Sequence, residues 1–318
     1  MAGVSKTIVS QFLNNNYKFM SNATKERIEK IVKETNYIPK SSAQNLKYKK
    51  TKVINIIVAN LSSSFSTQVA QYIDTKVSSQ NTQVTISNSN DDSTKEKLLI
   101  EQAISQDVDG VIIFPVGGNE ELYRLLQKKK ITTVFVDRIP IGLDYYSCVL
   151  LDNDSAIEKS VVSLAQRGHK QITYLSLPIE EHLTPRVERL QAFWRILEKQ
   201  DKILPHIVYG SETSMKSKLK TLFTSSNYFP SAFIASNDTC LTILLKTLKE
   251  LKIDKKIDIV TIDGYDLYEL IDSIYMSIEH PIQDICEQII DCLNLDEAKE
   301  DNDEEKHIYR FEPKLISR

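Results

Sequence analysis

Polar residues stand at the ends of several short apolar runs, and their chemistry suits gripping a small molecule. Asn60, Pro115, Asp137, Ser236-Asn237-Asp238 and the stretch from Asp263 to Asp266 each follow such a run. Carboxylate, amide and hydroxyl groups gathered at strand ends offer a polar ligand both donors and acceptors. Solvated loops are polar at such places too, so the pattern nominates positions and no more. The signatures of covalent and nucleotide chemistry are missing. Gly117-Gly118 is an isolated pair outside any GxGxxG or GxxxxGK[ST] context, and no nucleophile elbow or HExxH occurs. His169, His182, His206, His280 and His307 are scattered without ligand spacing, and His169 follows Gly168 at a helix end, a structural position. No cofactor, no metal and no enzymatic activity are expected.

Strand ends can carry a site only if parallel strands stand behind them. From Thr51 onward, short β-branched runs alternate with amphipathic stretches. Val53 to Val58 reads as a buried parallel strand, and comparable runs are 83–86, 110–114, 132–136, 172–175, 232–235 and 257–262. Helical spacing separates them: Val69, Ile73 and Val77; Leu98, Ala103 and Ile104; Leu241, Leu244, Leu245 and Leu248. Asp152-Asn153-Asp154 opens a helix through Ile157, Val161 and Leu164 that ends at Gly168. The alternation predicts two doubly wound α/β units, the second restarting near Val149.

The N-terminus is different. Ala2 to Asn14 reads as a turn running into a short polar-faced helix, and Asn36-Tyr37-Ile38-Pro39 and Ala43-Gln44-Asn45-Leu46 follow about two helices later. This is the back half of a helix-turn-helix followed by a hinge, and it points to a DNA-binding regulator. Residues 1–52 hold eleven Lys and Arg against three Glu, a charge of +8; the rest holds 29 against 40, a charge of −11. A cationic head on an anionic body suits phosphate contact joined to a soluble domain.

No run of 18 apolar residues marks a membrane span. No apolar signal core opens the chain, so the cytoplasm is the expected location. Cys148, Cys240, Cys286 and Cys292 lie in apolar contexts without CxxC spacing, as reduced structural residues do.

These motifs, in this order, resemble the LacI/GalR (lactose-repressor/galactose-repressor) family of bacterial transcriptional regulators over essentially the whole chain. The match is carried by Ala2 to Asn14, Thr24-Lys25-Glu26-Arg27-Ile28, Asn36-Tyr37-Ile38-Pro39, Asp109-Gly110-Val111-Ile112, Val136-Asp137-Arg138 and Asp152-Asn153. It continues through Arg167-Gly168-His169-Lys170-Gln171-Ile172, Arg189-Leu190-Gln191-Ala192-Phe193, Ser236-Asn237-Asp238, Gly264-Tyr265-Asp266 and Leu315-Ile316-Ser317-Arg318.

The resemblance implies an α/β, periplasmic-binding-protein-like core of two parallel-sheet subdomains behind a small all-α head and a hinge helix. The head would span 1–50, with the hinge near 40–47, and the core 51–318. Within the core, one subdomain would take about 52–150 plus 279–306, the other about 151–278 plus 307–318. Lys6, Thr7 and Gln11 match base-reading positions; Ser5 caps the recognition helix, and Ser5, Ser10, Asn14 and Ser21 match phosphate contacts. Leu46 matches the hinge leucine pushed between base steps in the minor groove, and Ala43 the small residue where paired hinge helices pack closely. Asp137, Arg189, Asn237 and Asp266 match effector contacts, with Phe65 as an apolar platform, Ser66 as a hydroxyl, and His280 where the family often has Gln.

The family also places roughly ten more residues, a buttressing helix, before Ala2. The chain is therefore expected to start at an internal methionine of a longer frame, with a truncated head. The leading expectation is a homodimeric repressor that binds double-stranded operator DNA and a sugar-like effector. The alternative is a small-molecule-binding protein of the same fold with a vestigial head.

Overall fold

A computed structural model of the chain describes residues 3–13, 16–18, 20–35, 52–199, 203–224, 230–293 and 305–317. The chain divides into two compact units, Met1–Lys52 and Val53–Arg318. The first holds α1 (Lys6–Leu13) and α2 (Asn22–Thr35). Ile28 of α2 is buried, the Phe12 ring meets Tyr17 edge-on at 5.9 Å, and Lys25 Nζ lies 4.0 Å over the Tyr17 ring.

The second unit begins with β1 (Lys52–Val58), α3 (Ser64–Val77), β2 (Thr82–Asn88), α4 (Ser93–Ser105) and β3 (Gly110–Ile113). It continues with α5 (Glu120–Lys128), β4 (Thr132–Val136) and β5 (Tyr146–Leu151). Then come α6 (Asn153–Gln166), β6 (Gln171–Ser176), α7 (Thr184–Leu197), β7 (Leu204–Tyr209), α8 (Glu212–Thr224) and β8 (Ala232–Ala235). The series ends with α9 (Asp238–Glu250), β9 (Asp258–Ile262), α10 (Tyr265–Tyr268), β10 (Ile274–Glu279), α11 (Ile282–Leu293), β11 (Lys306–Phe311) and β12 (Lys314–Ser317).

Two six-stranded sheets result, ordered β11-β5-β4-β3-β1-β2 and β12-β10-β9-β8-β6-β7. Among the described residues β12 runs antiparallel to β10, and β11-β5-β4-β3-β1 and β10-β9-β8-β6-β7 pair in parallel. Central strands β3, β8 and β9 are buried at every position because helices cover both faces, which explains the unbroken apolar sequences of β3 and β8; β9 interrupts its run with the buried Asp258 and Thr261. Each sheet has a core on either side. In the first lobe Val69 and Ile73 of α3 meet Ile289 of α11, while Ile100 of α4 and Tyr123 of α5 fill the opposite face. In the second, Val161 of α6 packs with Phe193 of α7, and Leu219 of α8 with Leu244 of α9.

The last lobe crossing differs from the sequence expectation. Residues 307–311 do not join the second lobe: β11 pairs in parallel with β5 from Lys306↔Tyr146 to Phe311↔Leu151, and only β12 enters the second sheet. The reason is period-two burial, since Tyr309 and Phe311 turn onto the first lobe's core. The chain thus crosses between lobes after β5, after β10 and between β11 and β12.

Candidate functional site

The lobes enclose a cleft at the carboxyl ends of their strands. It holds about 780 Å3 of empty space counting its open mouth. Helices α3, α7 and α9 all begin at its wall, so their positive ends face it. Ser63 caps α3, accepting from Ser66 N–H, and Asn237 caps α9, accepting from Cys240 N–H at 2.9 Å. The lobes touch across the mouth: Ser64 N–H donates to Asp238 Oδ2 at 3.2 Å and Ile139 N–H to Thr184 Oγ1 at 3.0 Å.

Asp137 follows β4 and Asp263 follows β9, both with positive φ (68° and 59°). Each strand-end amide donates to the neighbouring strand, Asp137 to Val149 O and Asp263 to Ile278 O. The two lobes thus present equivalent carboxylates to one cleft. Beside Asp137, the buried Arg138 pairs with Asp91 Oδ1 at 2.8 Å and donates to Pro115 O at 3.2 Å. On the second wall, Arg189 donates through Nε to Asn153 Oδ1 at 2.7 Å and through a terminal nitrogen to Ser236 O at 2.6 Å.

His280 lies where β10 hands the chain back to the first lobe. Its ring stacks on Phe65 with centroids 3.8 Å apart, and Nδ1 donates to Asp263 Oδ1 at 2.6 Å. Nε2 is buried without a hydrogen-bond partner. Next to it, burial and then the Asp263 charge push the Glu279 carboxyl up to about 7.

Phe65, Asp137, Arg189, Asn237 and His280 therefore line one cleft, while Ser66 is buried within α3 and is not part of the lining. Ser66 N–H donates to Ser63 Oγ in the first turn of that helix. The Asp266 side chain lies outside the described residues. Sequence reasoning passed over Arg138, Arg186 and Asp91 as ligand-facing groups. The only available signals were Pro185, which marks the start of α7, and the acidic turn after β2.

In the N-terminal unit, Ser5 Oγ accepts from Ile8 N–H at 3.4 Å at the start of α1. Lys6, Thr7 and Ser10 are exposed and Gln11 is half-buried. Ser21 uses its hydroxyl to start α2, accepting from Thr24 N–H at 3.3 Å. Asn14, Ala43 and Leu46 lie outside the described residues.

His169 joins no ligand site. It bridges Asp258 at 2.9 Å and Ser231 at 3.0 Å, and Arg167 Nε adds 2.7 Å to the same Asp258 while stacking on Tyr275. Among the described residues, no helix is long and apolar enough to cross a membrane.

Comparison with known proteins agrees with this layout. Residues 54–267 match the periplasmic binding protein domain, and residues 1–40 match the bacterial regulatory proteins, lacI family. The probable HTH-type transcriptional regulator EndR of Paenibacillus polymyxa is 34% identical over all of this chain and 95% of its own length. The fold resembles the Lac repressor solved with ONPG in a repressed state: TM-score 0.75, 19% identity, all of this chain and 96% of that one. It also resembles the Cra dual regulator of Pseudomonas putida in complex with fructose 1-phosphate: TM-score 0.73, 15% identity, 84% of this chain and 99% of that one.

Proposed function

This chain belongs to the lacI family of bacterial regulatory proteins and is an effector-responsive transcriptional regulator; on that premise we propose that a sugar-class molecule in the interlobe cleft controls how its head grips operator DNA. The observation that carries the reading is the cleft wall. Directed donors and acceptors from both lobes converge beside the stacked Phe65 and His280 rings. An apolar platform ringed by fixed polar groups matches a ring with hydroxyls on its edge.

A ligand bridging Asp137 on one lobe and Arg189 or Asn237 on the other stabilises one lobe arrangement over another. The wall is tied to the crossings: Arg189 leads to Asn153, Asn153 Nδ2 donates to Glu188 at 2.7 Å, and Glu188 holds Arg310 of β11 at 2.7 and 3.1 Å. Ligand strain on Arg189 thus reaches the strand that joins the lobes.

In the head, Lys6, Thr7 and Gln11 would read base edges, with Lys pairing guanine and Gln adenine. Ser5, Ser10, Asn14 and Ser21 would position it on phosphates. Leu46 would form the hinge wedge and Ala43 the close contact between hinge helices, paired in a homodimer on a two-fold operator, and the outcome would be repression.

The test is a thermal-shift panel of sugars and sugar derivatives on the full chain. A cleft ligand at ~100 times its Kd stabilises by about 2.7 kcal/mol, and Arg189→Ala should abolish that shift. If no member of the panel raised Tm, or if Arg189→Ala retained the shift, the sugar-class reading of the cleft would be wrong.

A further inference from the structure

We infer that the effector carries a negative charge, a carboxylate or a phosphate, and that Arg186 and Arg189 of α7 receive it. The inference rests on the cleft being the effector site and adds the ligand's charge and the groups that read it.

Residues three apart on a helix share a face, and Arg186 and Arg189 both line the cleft at the start of α7. Neither has a carboxylate within ion-pair distance among the described residues. Arg186 donates to the Pro178 carbonyl at 2.8 Å, and Arg189 donates to the Asn153 side chain and the Ser236 carbonyl, all neutral acceptors. Arg189 is 6% exposed. Buried charges are ordinarily paired, because removing an ion from water is costly without a counter-ion.

The surrounding backbone adds to the same imbalance. α7 has no acidic residue in its first turn and no side-chain cap at Leu183, so its positive end is unanswered. Burial, and then the charge of Arg138, pull the Arg186 guanidinium below its usual range.

The cleft's own carboxylates are already engaged. Asp91 and Asp137 face Arg138 at 2.8 and 3.8 Å, Asp263 holds His280, and Asp238 accepts the amides of Ser64 and Thr239. Glu188, beside Arg189 in sequence, is turned to Arg310 and Asn153. Two neighbouring cations of the second lobe therefore have no carboxylate within ion-pair distance among the described residues, and the Asp91 and Asp137 charges reach Arg186 only from further off. A second observation points to a ligand as well: His280 Nε2, buried in the same lining, has no partner. With Asp263 accepting from Nδ1–H, Nε2 is left to bond a ligand hydroxyl, which can both donate and accept. The ligand is thus an acid or phosphate ester that also bears hydroxyls.

The experiment is calorimetric titration of the full chain at constant ionic strength with matched probes. D-glucose, D-gluconate and D-glucose 6-phosphate are compared on wild type, Arg186→Met and Arg186→Lys. A charged probe should bind at least tenfold more tightly than glucose, with gluconate or the phosphate ester as the better arm naming the anion. Arg186→Met should weaken that probe at least tenfold, and Arg186→Lys should restore part of the loss. The unliganded Arg186→Met protein should melt no lower than wild type, since it loses an uncompensated cation.

Glucose binding as tightly as its charged counterparts would overturn the charge requirement while leaving the sugar-class reading intact. Failure of both charged probes to bind would overturn the proposal, and failure of glucose as well would count against the sugar-class reading too. Unchanged binding of a charged probe by Arg186→Met, or a lower melting point of that unliganded variant, would assign Arg186 to structure instead.

Discussion

Replacing Glu279 with Gln should make the protein's stability less sensitive to pH, and the sign follows from the carboxyl's surroundings. Glu279 closes β10 beside Asp263 and His280 and accepts a hydrogen bond from the Ser277 hydroxyl. Burial first, and then the Asp263 charge, raise it from 4.5 to about 7. Between those values the native protein holds a proton that the unfolded chain has released. Native stability from this group is therefore full below about pH 4.5, falls as pH rises toward 7, and stays low above. At ~1.4 kcal/mol per pH unit of displacement, the loss is about 3 kcal/mol at most. Gln stays neutral throughout and keeps an acceptor for Ser277. In urea titrations followed by circular dichroism, Glu279→Gln should match wild type near pH 4.5 and exceed it by about 3 kcal/mol near pH 8. Parallel stability profiles for the two proteins would refute the reasoning.

Other outcomes follow from the same packing. Glu96 is fully buried and accepts from Val116 N–H, Asn119 Nδ2 and Tyr123 O–H at 3.0, 2.6 and 2.7 Å, so it pins the loop that feeds Pro115 to Arg138. Glu96→Ala should cost about 3 kcal/mol in a denaturant titration by leaving those donors unmatched. At Gly264 a Cβ would lie 2.2 Å from Thr261 Cγ2, so Gly264→Ala should lower stability by roughly 3 kcal/mol, read as a drop in Tm. Lys6→Ala should weaken operator binding by about 1–3 kcal/mol in an anisotropy titration, with a smaller loss on random duplex.

Much of the architecture was visible in the chain because buried parallel strands have an unambiguous composition. Val53 to Val58 carries β-branched residues broken only by Asn55, 232–235 is apolar throughout, and both lie inside a sheet. Edge and near-edge strands were harder to read. β7 contains Pro205 and exposes Leu204 and Tyr209, while β11 alternates, so neither has the burial that makes a run conspicuous. The partner of β11 depended on which core Tyr309 and Phe311 would reach, a long-range choice that local pattern does not encode.

The site divides in the same way. Asp137 and Asn237 stood out as polar residues closing apolar runs, whereas Arg189 could be singled out only through the family resemblance. Arg186, in the first turn of a helix, looks like any solvated arginine until a second lobe closes over it. Its lack of an anionic partner is a property of the folded cleft, because every nearby carboxylate had first to find its own donor.

The most direct test of the account is operator affinity measured by fluorescence anisotropy on the full chain, with and without the tightest-binding cleft ligand at saturation. A coupling of ~1–3 kcal/mol should change the Kd for operator by about 5–150-fold. Arg189→Ala should bind the operator normally and show no ligand response. An operator Kd that stayed the same with the cleft demonstrably occupied would contradict the claim that this cleft governs the head.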